Sequence, residues 1–157
     1  MKKLLLLFVS FSLFSCGMTS TTVNPEPLTE TFLVDGVKDV LYVKANNWMV
    51  ENFNDSKSVI QFTDKESGTV TGKYRVGEVS SDAVNNPMND IFAIVRLQVK
   101  DSASKITIIP SNYSYTTYKY KDEGEGQKLS EENLNLRMEM LISSFEDYMK
   151  NSKSNLF

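Results

Sequence analysis

Ten consecutive residues, Ile91-Phe92-Ala93-Ile94-Val95-Arg96-Leu97-Gln98-Val99-Lys100, narrow the folds open to this chain more than any other stretch. They are rich in β-branched and large apolar side chains and too short for an ordinary buried helix, so they read as a strand. The first half is apolar on both faces, with Phe92 and Ile94 on one side and Ala93, Val95, Leu97 and Val99 on the other. Such a strand needs cover on both sides where it begins.

The surrounding pattern supplies partners. Ser58–Thr63 and Thr69–Val76 flank Asp64-Lys65-Glu66-Ser67-Gly68 and form a hairpin, with Ile60 and Phe62 alternating on the first arm and Val70, Tyr74 and Val76 on the second. Gly72 takes an inward position on that arm, which calls for close approach of a packed helix or a bend in the strand rather than ligand access. The turn Asp101-Ser102-Ala103-Ser104 leads into Lys105–Ile109, with pairing continuing toward Tyr120, and Thr31–Val34 is a short opening strand stopped by Asp35-Gly36.

Two segments carry helical periodicity. Val37, Leu41, Ala45, Trp48, Met49 and Phe53 form one stripe, with Asp35 or Asp39 as its cap. Leu134, Met138, Leu141, Ile142, Phe145, Tyr148 and Met149 form another, with Ser130 as N-cap after a charged loop over 121–128. The order β-α-β-β-β-β-α predicts an α+β domain, an antiparallel sheet with both helices packed on one face.

Ahead of this body stands Met1-Lys2-Lys3, then the apolar run Leu4 to Phe14, then Ser15-Cys16. A membrane-spanning helix needs roughly 20 apolar residues, more than this run offers. A basic start, a short apolar run and a small residue before the cut mark a secretory leader. Cys16 is the only cysteine in the chain, which bars an internal disulfide and makes it the expected acylation site of a bacterial lipoprotein. Two or more acyl chains give stable anchoring, at about 0.8 kcal/mol per buried methylene. The expected division is a leader over 1–15, a lipidated flexible tether over 16–28, one domain over 29–151 and a tail over 152–157. Gly17, rather than an aspartate, follows the cysteine, and residues 17–22 hold no acidic side chain, so the expected place is the outer membrane, facing the periplasm.

The stretch from Phe32 to Asp101 resembles an exported bacterial family catalogued as a domain of unknown function with a TATA-binding-protein-like (TBP-like) fold. Leu41-Tyr42 and Trp48, Phe53, Val59-Ile60-Gln61, Asp64-Lys65-Glu66-Ser67-Gly68, Gly72-Lys73 and Val99-Lys100-Asp101 carry the resemblance. Val37 stands where a capping serine is common, and Ser102-Ala103-Ser104 replaces a turn richer in Gly and Arg. The resemblance implies topology; it implies neither DNA binding nor an activity.

Composition removes several chemistries. The 157-residue chain contains no histidine, so with its one cysteine committed to lipid there is no His-dependent triad, thiol nucleophile or His/Cys zinc site, and no cofactor is expected. Without Lys2 and Lys3 the chain has 15 basic against 20 acidic residues, a balance that disfavours nucleic acid. The match Ser102-x-x-Lys105 falls in a hairpin turn instead of a helix start. Asp64, Glu66, Asp101, Asp122, Glu123 and Glu125 are the remaining chemical groups, and turn geometry explains them more simply than a metal loop does.

Tyr113, Tyr115, Tyr118 and Tyr120 form an aromatic row interleaved with Ser and Thr. Strand propensity accounts for it; the functional alternative is a binding face, with Tyr113, Tyr115 and Tyr118 as ligand candidates. The expected function is a non-catalytic envelope lipoprotein held to the bilayer through acylated Cys16 and binding an envelope protein, a peptide or a small amphiphile. A structural or assembly role in an envelope complex is the alternative, and a carboxylate-dependent hydrolase a distant third.

Overall fold

The computed structural model describes residues 18–53, 58–79, 89–118 and 123–151. Seven strands and two helices follow in order: β1 (Met18–Val23), β2 (Leu28–Leu33), α1 (Lys38–Asn52), β3 (Val59–Asp64), β4 (Thr69–Val79), β5 (Asn89–Lys100), β6 (Ala103–Pro110), β7 (Tyr113–Tyr118) and α2 (Glu123–Asn151). Five strands make one antiparallel sheet in the order β2-β6-β5-β4-β3, which puts the Ile91–Lys100 run in the middle. Both helices pack on one face of that sheet, as the periodicity predicts.

Side-chain parity builds the core. Val70 lies opposite Leu97 and Leu97 opposite Ile106; Gly72, Val95 and Ile108 form the next row. Val70, Leu97, Ile106, Val95 and Ile108 are fully buried. Against them α1 sets Leu41, Ala45, Trp48 and Met49, and α2 sets Leu134, Met138, Leu141, Ile142, Phe145 and Met149. Of the two expected stripes only Val37, which lies outside the helix and is exposed, and Tyr148, which is half-buried, escape full burial. Trp48 is the hub: its ring meets Phe145 edge-on at 5.1 Å and Phe53 at 6.4 Å, and its Nε1–H donates to Ser144 Oγ at 3.1 Å. That bond gives the indole's polar edge a partner inside an apolar layer.

Gly72 is where α1 touches the sheet most closely. A Cβ there would lie 2.5 Å from Phe53 Cε2 and 3.0 Å from the Val59 carbonyl, so the missing side chain makes room for the aromatic ring at the end of the helix. Gly68, at φ +66°, closes the β3–β4 turn against the carbonyl of Val99.

Four expectations are corrected. Residues 18–23, expected within a flexible tether, form β1, which pairs antiparallel with β7 from Met18 opposite Tyr118 to Val23 opposite Tyr113. An isolated two-stranded ribbon is marginal in water, and here burial of Val23, Tyr113 and Tyr115 in the core holds it. The strand from Lys105 breaks after Pro110, and the chain resumes as β7 in a separate two-stranded sheet. A bulge between Ile60 and Phe62 puts those two residues on opposite faces, and β3 is an exposed edge strand rather than an arm with one inward row. Finally, α2 begins at Glu123, so Ser130 lies inside the helix and most of the expected charged loop is its first turns.

The helix α1 is capped by neither Asp35 nor Asp39. Its N-cap residue, Val37, offers no side-chain acceptor, and Asp101 Oδ1 from the β5–β6 turn accepts the Lys38 amide at 2.7 Å instead. Two backbone bonds beside it, Ser102 N–H to Gly36 O at 2.9 Å and Val34 N–H to Ser102 O at 3.2 Å, tie that turn to the approach to the helix.

Candidate functional site

Two of the three expected ligand residues do not stand on an open face. Tyr113 and Tyr115 are each 8% exposed and belong to the core, because the ribbon turns that side of β7 inward. Tyr118 ends β7 opposite Met18, and its side chain, like Tyr120, Cys16 and Asp122, lies outside the described residues. At Tyr113 and Tyr115 the aromatic row is strand packing.

The carboxylates in the turns serve backbone geometry. Asp64 Oδ1 accepts the Glu66 amide at 2.9 Å, an Asx turn; the Ser67 hydroxyl and this turn's amides hold the Asp64 carboxyl below the ordinary carboxylate range. The Glu66 carbonyl accepts from Lys38 Nζ at 2.9 Å, and Asp101 is the helix cap. Ser102 occupies the left-handed region at φ 60° in its two-residue turn, while Lys105 stands on a strand beyond it, so the two do not form a nucleophile and base on a helix. Among the described residues no three His, Cys, Asp or Glu converge as a metal site, and no helix is long and apolar enough to cross a membrane.

What the fold does expose is the second face of the five-stranded sheet, opposite the helices. Its rows follow from the register. Thr29, Thr107, Arg96, Thr71 and Phe62 make one; Thr31, Lys105, Gln98, Thr69 and Asp64 the next; Ile109, Ile94, Lys73 and Val59 a third. Phe62 is 54% exposed, Val59 49% and Ile109 37%. Lys73 Nζ sits 3.9 Å from the centre of the Phe92 ring, a cation held against an aromatic face. At one end Arg75 joins Glu78, at 2.7 Å through Nη2, and Asp90 through Nε; this pairing keeps the guanidinium protonated and ties β4 to β5 beside the β4 bulge. The single inward row expected for Ile60 and Phe62 concealed the apolar part of this face, because the bulge turns Phe62 outward.

A concavity of about 230 Å³ lies between α1, β4 and α2, lined by Asn52, Tyr74, Arg75, Arg137, Met140 and Ser144 among others. The Ser144 hydroxyl there is engaged by Trp48 and the Arg75 guanidinium by Glu78 and Asp90.

Comparison with known proteins agrees with this architecture. A crystal structure of a DUF4468 family protein from Bacteroides ovatus ATCC 8483 superposes with a TM-score of 0.52 at 16% identity, covering 76% of this chain and 85% of that one. A crystal structure of a TBP-like protein from Parabacteroides distasonis ATCC 8503 gives 0.53 at 15% identity, covering 80% and 92%. At such identities the likeness is one of fold. A search of curated proteins finds no match. Residues 29–116, more than half of the chain, match the family described as "Domain of unknown function (DUF4468) with TBP-like fold", and the chain belongs to that family.

Proposed function

We propose that this protein is a lipid-anchored lipoprotein of the bacterial cell envelope, at the outer membrane and facing the periplasm, whose domain is a non-catalytic interaction module using the open face of the five-stranded sheet. The observation that carries the binding role is that face: Phe62, Val59 and Ile109 stand exposed beside cations on a surface that neither of the two described helices covers. The Asp64 and Asp101 carboxylates, by contrast, are occupied in turn formation and capping. The leader and Cys16 support the anchor.

On this reading the tether is short. β1 starts at Met18, two residues after Cys16, which is about 7 Å of extended chain. The Met18–Tyr118 end of the ribbon then lies next to the bilayer, while the Val23–Tyr113 end is rooted in the body.

The test is cross-linking and affinity capture from membranes expressing the full chain, wild type against Phe62→Asp, with mass spectrometry of the mature N-terminus. A partner captured by the wild type and lost with Phe62→Asp, on a protein acylated at Cys16, is the expected result. Capture of nothing above background by either form, or a free thiol at Cys16, overturns the corresponding half of the proposal.

A further inference from the structure

The open sheet face is basic on a chain whose formal charge is −3. Lys105 pairs with Gln98, Arg96 with both Thr107 and Thr71, and Lys73 with Ile94. Each step from β6 to β5 to β4 therefore moves one strand across and two residues along, always in the same sense. Lys105, Arg96 and Lys73 fall on one straight diagonal, with diagonal neighbours in a sheet about 7–8 Å apart. Arg96 is exposed, with Thr107 and Thr71 on either side of it and Lys100 four residues along the same strand. Among the described residues Arg96, Lys100 and Lys105 have no carboxylate partner. The acidic groups sharing this face are Asp64, on the edge strand and bonded in its own turn, and the Glu78 and Asp90 pair already joined to Arg75.

Diagonal neighbours in a sheet stay within reach of long side chains, so three cations so placed offer one run of positive charge to an anionic partner. An extended polypeptide repeats the side chains of one face every 6.6–6.8 Å or so, close to the spacing of this diagonal. Carboxylates at alternate residues of such a segment would each meet one cation. Ile94 and Ile109 beside Lys73, and Phe62 in line with Arg96, leave apolar surface for its neighbours.

We infer that the open sheet face is a docking site for an extended acidic segment of another protein, its alternate Asp or Glu side chains set on the Lys105–Arg96–Lys73 diagonal. The inference rests on the interaction-module reading and names the chemistry of the partner.

Binding is measured with the full-length acylated protein in detergent, using a fluorescent peptide of alternating Glu and Thr. An alternating Gln and Thr peptide and a single-stranded oligonucleotide of equal charge serve as comparisons. The Glu-Thr peptide should bind saturably and weaken with added salt, with Arg96→Glu and Lys105→Glu each lowering affinity roughly tenfold while Arg137→Glu, on α2, leaves it unchanged. Melting curves of the variants check that the fold persists. No saturable binding by wild type, equal binding of the Gln-Thr peptide, unchanged affinity in both sheet variants or tighter binding of the oligonucleotide would each overturn the acidic-peptide site. If membrane capture recovers a partner that Arg96→Glu still binds, this inference falls and the module reading stands; if capture recovers nothing, the module reading falls first.

Discussion

Asp101 Oδ1 accepts the backbone amide of Lys38 at 2.7 Å, so the first helix is capped by a residue 63 positions later in the chain. A side-chain acceptor at a helix start satisfies one of the amides that the helix leaves open and places negative charge at the positive end of the dipole. The local cap residue, Val37, provides neither. Asp101→Ala should destabilise the domain by about 1 kcal/mol. The conservative variant supplies the diagnostic: Asp101→Asn keeps an acceptor oxygen in the same place and should retain most of the cap. Denaturant melts compare the two variants, and equal losses in Asp101→Ala and Asp101→Asn would mean that the bond to the Lys38 amide is not what Asp101 contributes.

Trp48 joins the two helices, because its ring contacts Phe53 at the end of α1 and Phe145 on α2 while its Nε1–H reaches Ser144, also on α2. Trp48→Ala removes a fully buried indole and leaves a cavity lined by aromatic rings, so the expected loss is about 3–5 kcal/mol. Trp48→Phe keeps most of the volume and strands the Ser144 hydroxyl, and its loss should be distinctly smaller. Chemical denaturation followed by far-ultraviolet circular dichroism separates the two.

Gly72 must have no side chain for Phe53 to lie where it does. Gly72→Ala sets a methyl 2.5 Å from the ring and 3.0 Å from the Val59 carbonyl, so either the ring or the edge strand has to move. Overpacking of this kind costs about 1–3 kcal/mol. Phe53→Leu in the Gly72→Ala background should return part of that loss by withdrawing the ring, and the paired melts decide whether the clash is with the side chain or with β3.

What could be read from the residues and what could not divide along one line. Leu134 to Met149 and Leu41 to Met49 were readable because a helix writes its burial into a local period, and β5 because its run of apolar residues allows few alternatives. The register bulge that separates Ile60 from Phe62, the ribbon between β1 and β7, and the cap on Lys38 are agreements between residues distant in sequence. No period in either partner encodes them. The candidate surface belongs with these: the alignment of Arg96 with Lys105 and Lys73 exists only once three strands are in register. Tyr113 and Tyr115 failed as ligand candidates for the converse reason, since alternation with Ser and Thr shows that a strand has two faces without showing which one meets the core.

Asp64 gives the acid limb of the stability curve a specific contributor. The Ser67 hydroxyl and the amides of the Asx turn favour its charged form, so its folded-state pKa is depressed. A depressed carboxylate contributes stability above its unfolded pKa and loses it as the pH falls through the folded value. Asp64→Asn should therefore be less stable than wild type at neutral pH, with the gap closing as the pH drops below the ordinary carboxylate range. Melting temperatures of both proteins across pH 2 to 7 test the sign, and a gap that widens toward acid would contradict it.

If Cys16 carries lipid as proposed, the ribbon makes the spacing between anchor and body a measurable quantity. With β1 starting at Met18, only Gly17 separates a lipid-bearing Cys16 from hydrogen-bonded strand, and the pairs from Met18–Tyr118 to Val23–Tyr113 run back into the core. A body attached in this way has little freedom to roll or lift away. A fluorophore at Ser20→Cys, in full-length acylated protein reconstituted in phosphatidylethanolamine and phosphatidylglycerol vesicles, should be quenched by headgroup-labelled lipid several times more than one at Asn112→Cys, beyond the far end of the ribbon. Inserting about twelve Gly and Ser residues between Gly17 and Met18 adds a coil with an end-to-end distance of roughly 20 Å. That insertion should bring the quenching at Ser20→Cys down to the level at Asn112→Cys without changing the melting temperature, because no described pairing is touched. Equal quenching at the two sites before insertion would mean that the ribbon does not stand on the bilayer and that the anchor acts through a looser connection than two residues allow.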